Sequence, residues 1–276
     1  MPLRIALIGY GEVGQLFARE FVAKGGAEVA VYDLKSDPTF APTAASDRVR
    51  LAASPAEAVE AAEIVISAVT ADQAVAAARS AAPALRPGQI YVDLNSISPR
   101  SKRAVAAEVG VDFVEFAVMS PVAGSGVASP ILAGGARAKE LAARLNPLGM
   151  KIDVVSAEIG VASATKLCRS IVIKGLEAIM VDLNLAAAGA GVLPAVLASL
   201  SASYPGMDWA AVARYMPPRV ARHGVRRAAE MREAARMLEE MGLEGGFCAA
   251  IADRHASFAA AGAQAPEVAA KTSPPT

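Results

Sequence analysis

The 276-residue chain carries 27 basic and 27 acidic side chains, so no net field draws it toward nucleic acid or an acidic membrane surface. It is 54% hydrophobic with few aromatics, enough for one large or two medium domains whose core is built mainly of Ala, Val, Leu and Ile. Two cysteines, Cys168 and Cys248, lie far apart and outside any CxxC pattern, which offers no disulfide framework and fits a reducing compartment.

The chain opens on Leu3 to Ile8, an apolar run with no basic, cleavable leader before it, and the expected location is the cytoplasm. Ala27 to Tyr32, Ile64 to Val69, Ile90 to Leu94 and Phe113 to Val118 repeat that short apolar pattern, separated by Ala-rich helical stretches after Glu12, Pro55, Ala71 and Pro99. Runs apolar on both faces that alternate with helices predict a mostly parallel, doubly wound sheet covered on both sides. Pro130 to Ala133 and Ile152 to Val155 predict two more strands around a helix from about Ala136 to Leu145.

After Ser156 no strand-like run returns, and helical periodicity continues to about residue 260. A long helix is predicted from near Glu158 past Asn184, ending around Gly189 and Gly191. Its apolar stretch is interrupted by Arg169, Lys174, Glu177, Asp182 and Asn184, too often for a bilayer span. Pro194, Pro205-Gly206, Pro217-Pro218 and Gly242 to Gly246 predict the breaks between further helices, with an amphipathic one over Arg219 to Met241. The expected domains are therefore 1–156 and an all-α 157–262, followed by a frayed tail over 263–276.

Gly9-Tyr10-Gly11-Glu12-Val13-Gly14 follows the first strand and opens a helix, the context in which a GxGxxG binds a dinucleotide. Gly9 makes the tight turn, Gly11 admits the pyrophosphate to the backbone, and Gly14 lets helix and strand pack closely. The amides of Glu12, Val13 and Gly14, at the helix start, face the anion. Asp33 ends the second strand, where a carboxylate accepts from the ribose hydroxyls of NAD and repels the 2′-phosphate of NADP. NAD is favoured over NADP, with Lys35 close enough to soften that preference. Together these features predict a Rossmann α/β half followed by an all-α half. Val69, Thr70 and Asn95, at the carboxyl ends of later strands where ligands of such sheets bind, join the expected cofactor contacts. In the helical half, Lys166 and Ser170 stand four apart and share one helix face. Taken alone, such a lysine is either a snorkelling side chain or a functional one.

Four segments carry a family resemblance: Gly9 to Gly14; Asp93-Leu94-Asn95-Ser96-Ile97-Ser98-Pro99; Phe113 through Ser120 to Gly126; and Gly160 through Lys166 to Ser170. In this order and spacing, over roughly residues 3 to 190, the chain resembles the β-hydroxyacid dehydrogenases, which include 3-hydroxyisobutyrate and 6-phosphogluconate dehydrogenases. It is more similar still to a less characterised branch with a distinct C-terminal helical domain. The resemblance implies Lys166 as general acid/base, with Ser170 holding a substrate oxygen or orienting it. It implies Ser120, Pro121 and Val122 with adjacent amides, and Arg169, as contacts for a small carboxylate-bearing substrate. It also implies pairing through the helical half, and a homodimer is expected. No metal, nucleic-acid or membrane partner is expected.

Two departures leave the substrate open. Met119-Ser120-Pro121-Val122 stands where the family has Ser-Gly-Gly, and Ser170 stands where it has Asn. Two other readings stay open as well: an imine reductase of the same architecture, and a catalytically silent NAD-binding module. His223, Arg226 and Arg227 on the later amphipathic helix are either cleft residues or a solvated basic face.

Overall fold

A computed structural model describes residues 2–35 and 38–262; the tail expected over 263–276 lies outside the described residues. The chain divides into two compact units, 1–166 and 167–276, and the division falls inside a helix rather than at residue 157.

The first unit holds eight strands, β1 (Leu3–Ile8), β2 (Ala27–Tyr32), β3 (Arg50–Leu51), β4 (Ile64–Ser67), β5 (Ile90–Asp93), β6 (Asp112–Val118), β7 (Pro130–Gly134) and β8 (Lys151–Ser156). They form one sheet in the order β3-β2-β1-β4-β5-β6-β7-β8. Every pair is parallel except β6–β7, which is antiparallel. The helices are α1 (Glu12–Ala23), α2 (Phe40–Asp47), α3 (Pro55–Val59), α4 (Ala74–Ala81), α5 (Pro99–Val109) and α6 (Ala138–Leu145). The apolar runs are strands because both faces of the sheet are covered. Ile5, Leu7, Ile66, Val92 and Phe116 enter one core with Phe17 and Phe21 of α1. Ala6, Ile8, Val65, Tyr91 and Phe113 enter the other with Val105 and Val109 of α5. This is the Rossmann architecture expected from the alternation of runs.

The second unit contains most of α7 (Val161–Gly189), then α8 (Leu193–Ser203), α9 (Trp209–Glu240) and α10 (Gly246–Ala260). Pro217 and Pro218 do not separate two helices: α9 runs through them. A proline inside a helix leaves the carbonyl four residues earlier without its amide donor. Here the Ala213 carbonyl accepts from Asn184 Nδ2 of α7 at 3.3 Å, which compensates for the missing bond. α9 and α10 cross closely at Gly224, where an added Cβ would stand 2.2 Å from the His255 carbonyl oxygen. Among the described residues no helix is long and apolar enough to cross a membrane.

Candidate active site

The glycine-rich loop joins β1 to α1. Gly9 has φ +103°, and a Cβ there would lie 2.3 Å from the carbonyl oxygen of Ala68, the residue just past β4. A Cβ on Gly14 would lie 2.1 Å from the Gly9 carbonyl oxygen, so the helix can start this close to the strand only with glycine at both places. Gly11, by contrast, has nothing within 4 Å of its missing side chain. That open backbone, beside the first-turn amides of α1, fits the pyrophosphate of a dinucleotide.

Tyr10, between the glycines, is fully buried. Its ring meets Phe40 edge-on at 5.4 Å, and its hydroxyl donates to Asp47 at 3.4 Å. Burial first, and then the Asp47 carboxylate, push the phenol up to about 12, so it stays protonated and holds the loop against α2. Asp33 accepts from the Tyr10 amide at 2.7 Å through one oxygen and from the Lys35 amide at 2.9 Å through the other. Two amide donors fix the carboxylate beside the loop and leave its remaining lone pairs for hydroxyl donors.

At the carboxyl edge of β5 the segment from Asp93 is organised by buried charge. Asp93 and Lys102 are both fully buried, and Lys102 Nζ lies 2.5 Å from Asp93 Oδ1. The same ammonium donates to the carbonyls of Asp93 at 2.8 Å and Phe116 at 3.3 Å, so all its protons are satisfied. Asn95, only 5% exposed, donates to Asp93 Oδ2 at 2.7 Å and to Ser67 Oγ at 3.2 Å. Its carbonyl oxygen accepts from the Val69 amide at 2.8 Å. Its side chain therefore braces the turn that carries Val69 and Thr70. Thr70 itself is exposed.

Lys166, in the second turn of α7, donates to the hydroxyl of Ser96. Ser96 follows Asn95 in the braced segment and was not among the predicted site residues. Its signal was its place in the polar run after β5. The first turn of α7 is capped by a carboxylate from the sheet: Glu115 of β6 accepts from Gly160 N at 2.7 Å, Ala162 N at 2.9 Å and Ser163 N at 3.3 Å. Ser120, Pro121 and Val122 follow β6. Ser120 Oγ is buried with no hydrogen-bond partner among the described residues, Pro121 is exposed, and Val122 packs partly on the core.

In the helical unit Ser170 is 1% exposed, donates to Glu230 of α9 at 2.5 Å and accepts from Lys174 at 3.2 Å. The structure thus turns its hydroxyl to Glu230 and Lys174. Burial holds the Lys174 amine below the usual lysine range, against the opposing pull of Glu230 at 3.2 Å. Arg227 is 3% exposed and pairs with Glu177, so it is part of the packed interior of this unit and not of a solvated face. Arg169, Arg226 and His223 are exposed.

Comparison with known proteins agrees with this geometry. The family model described as the NAD binding domain of 6-phosphogluconate dehydrogenase matches residues 4–155. A helical family described as a domain of unknown function (DUF1932) matches residues 187–258. A conserved hypothetical protein from Sinorhizobium meliloti is 37% identical, with 96% of this chain and 91% of that one covered at a TM-score of 0.81. A conserved protein described as structurally similar to 3-hydroxyacid dehydrogenases is 33% identical, with coverage of 93% and 98% at a TM-score of 0.76. The 3-hydroxyisobutyrate dehydrogenase of Mycobacterium tuberculosis, solved with L-serine, shares the fold at 23% identity, with 94% of each chain covered and a TM-score of 0.76.

Proposed function

Since the chain belongs to the family of the NAD binding domain of 6-phosphogluconate dehydrogenase, we propose that it is a nicotinamide-dependent hydride-transfer enzyme. Its substrate is a small β-hydroxyacid, oxidised at the CH–OH carbon or reduced from the carbonyl. The observation that carries this reading is the Lys166–Ser96 hydrogen bond, in the same unit as the glycine-rich loop. A bound nicotinamide supplies the hydride acceptor, or the donor in the reverse direction. The neutral Lys166 amine takes the hydroxyl proton as the carbinol is oxidised, and its ammonium returns a proton to the growing alkoxide in reduction. Ser96 holds the amine in place while it does so. The Ser120 hydroxyl, buried with no hydrogen-bond partner among the described residues, and its neighbouring amides receive the substrate carboxylate. Ser170, held by Glu230, fixes the face of α7 one turn beyond Lys166.

Titration of NADH fluorescence, followed by a screen of small 3-hydroxyacids, aldehydes and cyclic imines for absorbance change at the nicotinamide band, tests this. L-serine and 3-hydroxyisobutyrate head the panel because a relative of this fold is named for one and was solved with the other. NADH binding with no turnover across the panel would favour the silent module, and turnover only on cyclic imines the imine reductase.

For the cofactor, Asp33 favours NAD. Asp33→Ala is expected to weaken NADH binding and to narrow the preference against NADPH, because the ribose acceptor and the like-charge repulsion vanish together. Equal affinities for wild type and variant, for both cofactors, would remove Asp33 from the adenosine pocket.

The assembly we propose is a homodimer through the helical unit. α8 has no buried residue despite a sequence dominated by Leu, Val and Ala, and Val172, Ile179 and Val225 are 68%, 53% and 75% exposed. Burying such surface gives an interface in the obligate class, above roughly 2,000 Å². Light scattering at low micromolar concentration is expected to give twice the chain's 28.1 kDa, and a mass equal to one chain would rule the dimer out.

A further inference from the structure

Two acidic residues stand side by side at the carboxyl edge of the sheet. Asp93 of β5 and Glu115 of β6 are register partners, one step beyond the pair Tyr91 and Phe113, whose rings stack at 6.4 Å. All four project to the face covered by α5, since the residues between them, Val92 and Val114, enter the opposite core. Both carboxylates are 0% exposed. Like charges directly opposite in a ladder repel, and buried charges are costly unless compensated. The compensation differs at the two positions. Asp93 has the Lys102 ammonium, whereas Glu115 has three amides of the α7 N-terminus and the positive end of that helix.

A single acidic pair therefore holds two different elements. Its two carboxylate oxygens accept from the backbone and side-chain amides of Asn95, and so Asp93 fixes the segment that carries Ser96. Glu115 fixes the start of the helix that carries Lys166, reaching 45 to 48 residues along the chain to do so. Gly134 leaves the room for this cap: a Cβ there would stand 2.6 Å from Glu115 Oε1. We propose that Glu115 is a positioning residue for Lys166. Anchored beside Asp93, it sets where α7 begins, and thus where the amine stands against the Ser96 hydroxyl. The inference rests on the reading of Lys166 as general acid/base. Its consequence for rate is large, because misplacing a reacting group by about 1 Å costs on the order of 10²-fold.

The test compares Glu115→Gln with Glu115→Ala in the full chain. Glutamine keeps one acceptor for Gly160 and Ala162 but turns an amide against Ser163, and alanine removes every contact. The reactivity of Lys166 toward acetic anhydride, read by mass spectrometry, reports its placement without any substrate. Glu115→Gln is expected to label Lys166 several-fold faster, to exchange the amides of 160–163 faster, and to leave NADH affinity within about twofold. In the turnover assay it is expected to lose roughly 10²-fold in kcat with KM little changed. Glu115→Ala is expected to go further in the same direction; if it fails to fold, Glu115→Gln alone decides. A cap that only stabilises the fold would speed amide exchange yet leave Lys166 labelling and kcat at wild-type values, and that result overturns the proposal. Should Lys166→Ala keep full activity, the catalytic reading falls on that variant, while labelling still reports whether Glu115 places the amine.

Discussion

Lys166→Ala is expected to fold, to bind NADH as the wild type does and to lose turnover by about 10²–10⁴-fold, the usual contribution of a general acid/base. The side chain is partly buried and donates to the Ser96 hydroxyl. The cofactor loop is built separately, by Gly9, Gly14 and the Tyr10–Asp47 contact, and none of these involves α7. Loss of rate should therefore come without loss of cofactor affinity. Ser96→Ala provides the graded comparison. It keeps the amine but releases it from its partner, and its defect should be smaller than that of Lys166→Ala and fall in kcat. Activity of Lys166→Ala within a few-fold of wild type, on a substrate that the wild type turns over, would refute the assignment.

Much of this was legible in the chain because the chemistry was local. The strands were visible as runs apolar on both faces and the glycine loop by its place between strand and helix, while Lys166 was singled out by the helix face it shares with Ser170 and by the family resemblance of the segment around it. What escaped detection was either too short or too distant in sequence. β3 is two residues, and α2, Phe40–Asp47, lacks a helical apolar stripe; it is held from outside by Tyr10 of the glycine loop, whose ring packs on Phe40. The Pro217-Pro218 pair is a strong local breaker, overruled by a tertiary hydrogen bond from Asn184 to the Ala213 carbonyl, 29 residues apart. The buried charges were hidden for the same reason, since nothing near Lys102 in sequence announces that its ammonium lies in the core with Asp93. Glu115 did leave a mark: a lone carboxylate inside the run Phe113-Val114-Glu115-Phe116, in a strand expected to be covered on both faces, must find donors somewhere. Glu177 carried the same mark within α7, and it forms ion pairs with Arg227 and Arg219. A charge that interrupts an apolar pattern was informative about burial as much as about membranes.

The second large effect expected is on stability, at the Asp93–Lys102 pair. Breaking a buried ion pair from one side leaves the other charge without its partner, at a cost of about 3–5 kcal/mol. Lys102→Met would leave the Asp93 carboxylate with the Asn95 donors, and Asp93→Ala would leave the ammonium with two carbonyls and take the acceptor from the Asn95 backbone amide. The double variant Asp93→Ala with Lys102→Met removes both charges at once and should recover much of the loss, since an apolar replacement of a buried pair is often nearly neutral. The probe must be chosen with the two units in mind. The single tryptophan, Trp209, sits in the helical unit and does not report on the sheet. Urea midpoints should instead be followed by loss of NADH binding, which depends on the loop between β1 and α1. Each single variant is expected to move that midpoint far below the wild type, and the double variant to fall between them and it. If the singles lose less than about 1 kcal/mol, the range of an exposed pair, then the ammonium is finding water and the pair is not buried in solution. If the double variant loses the sum of the two singles, the residues act independently, and the pair cannot be what holds Asn95 and Ser96 in place.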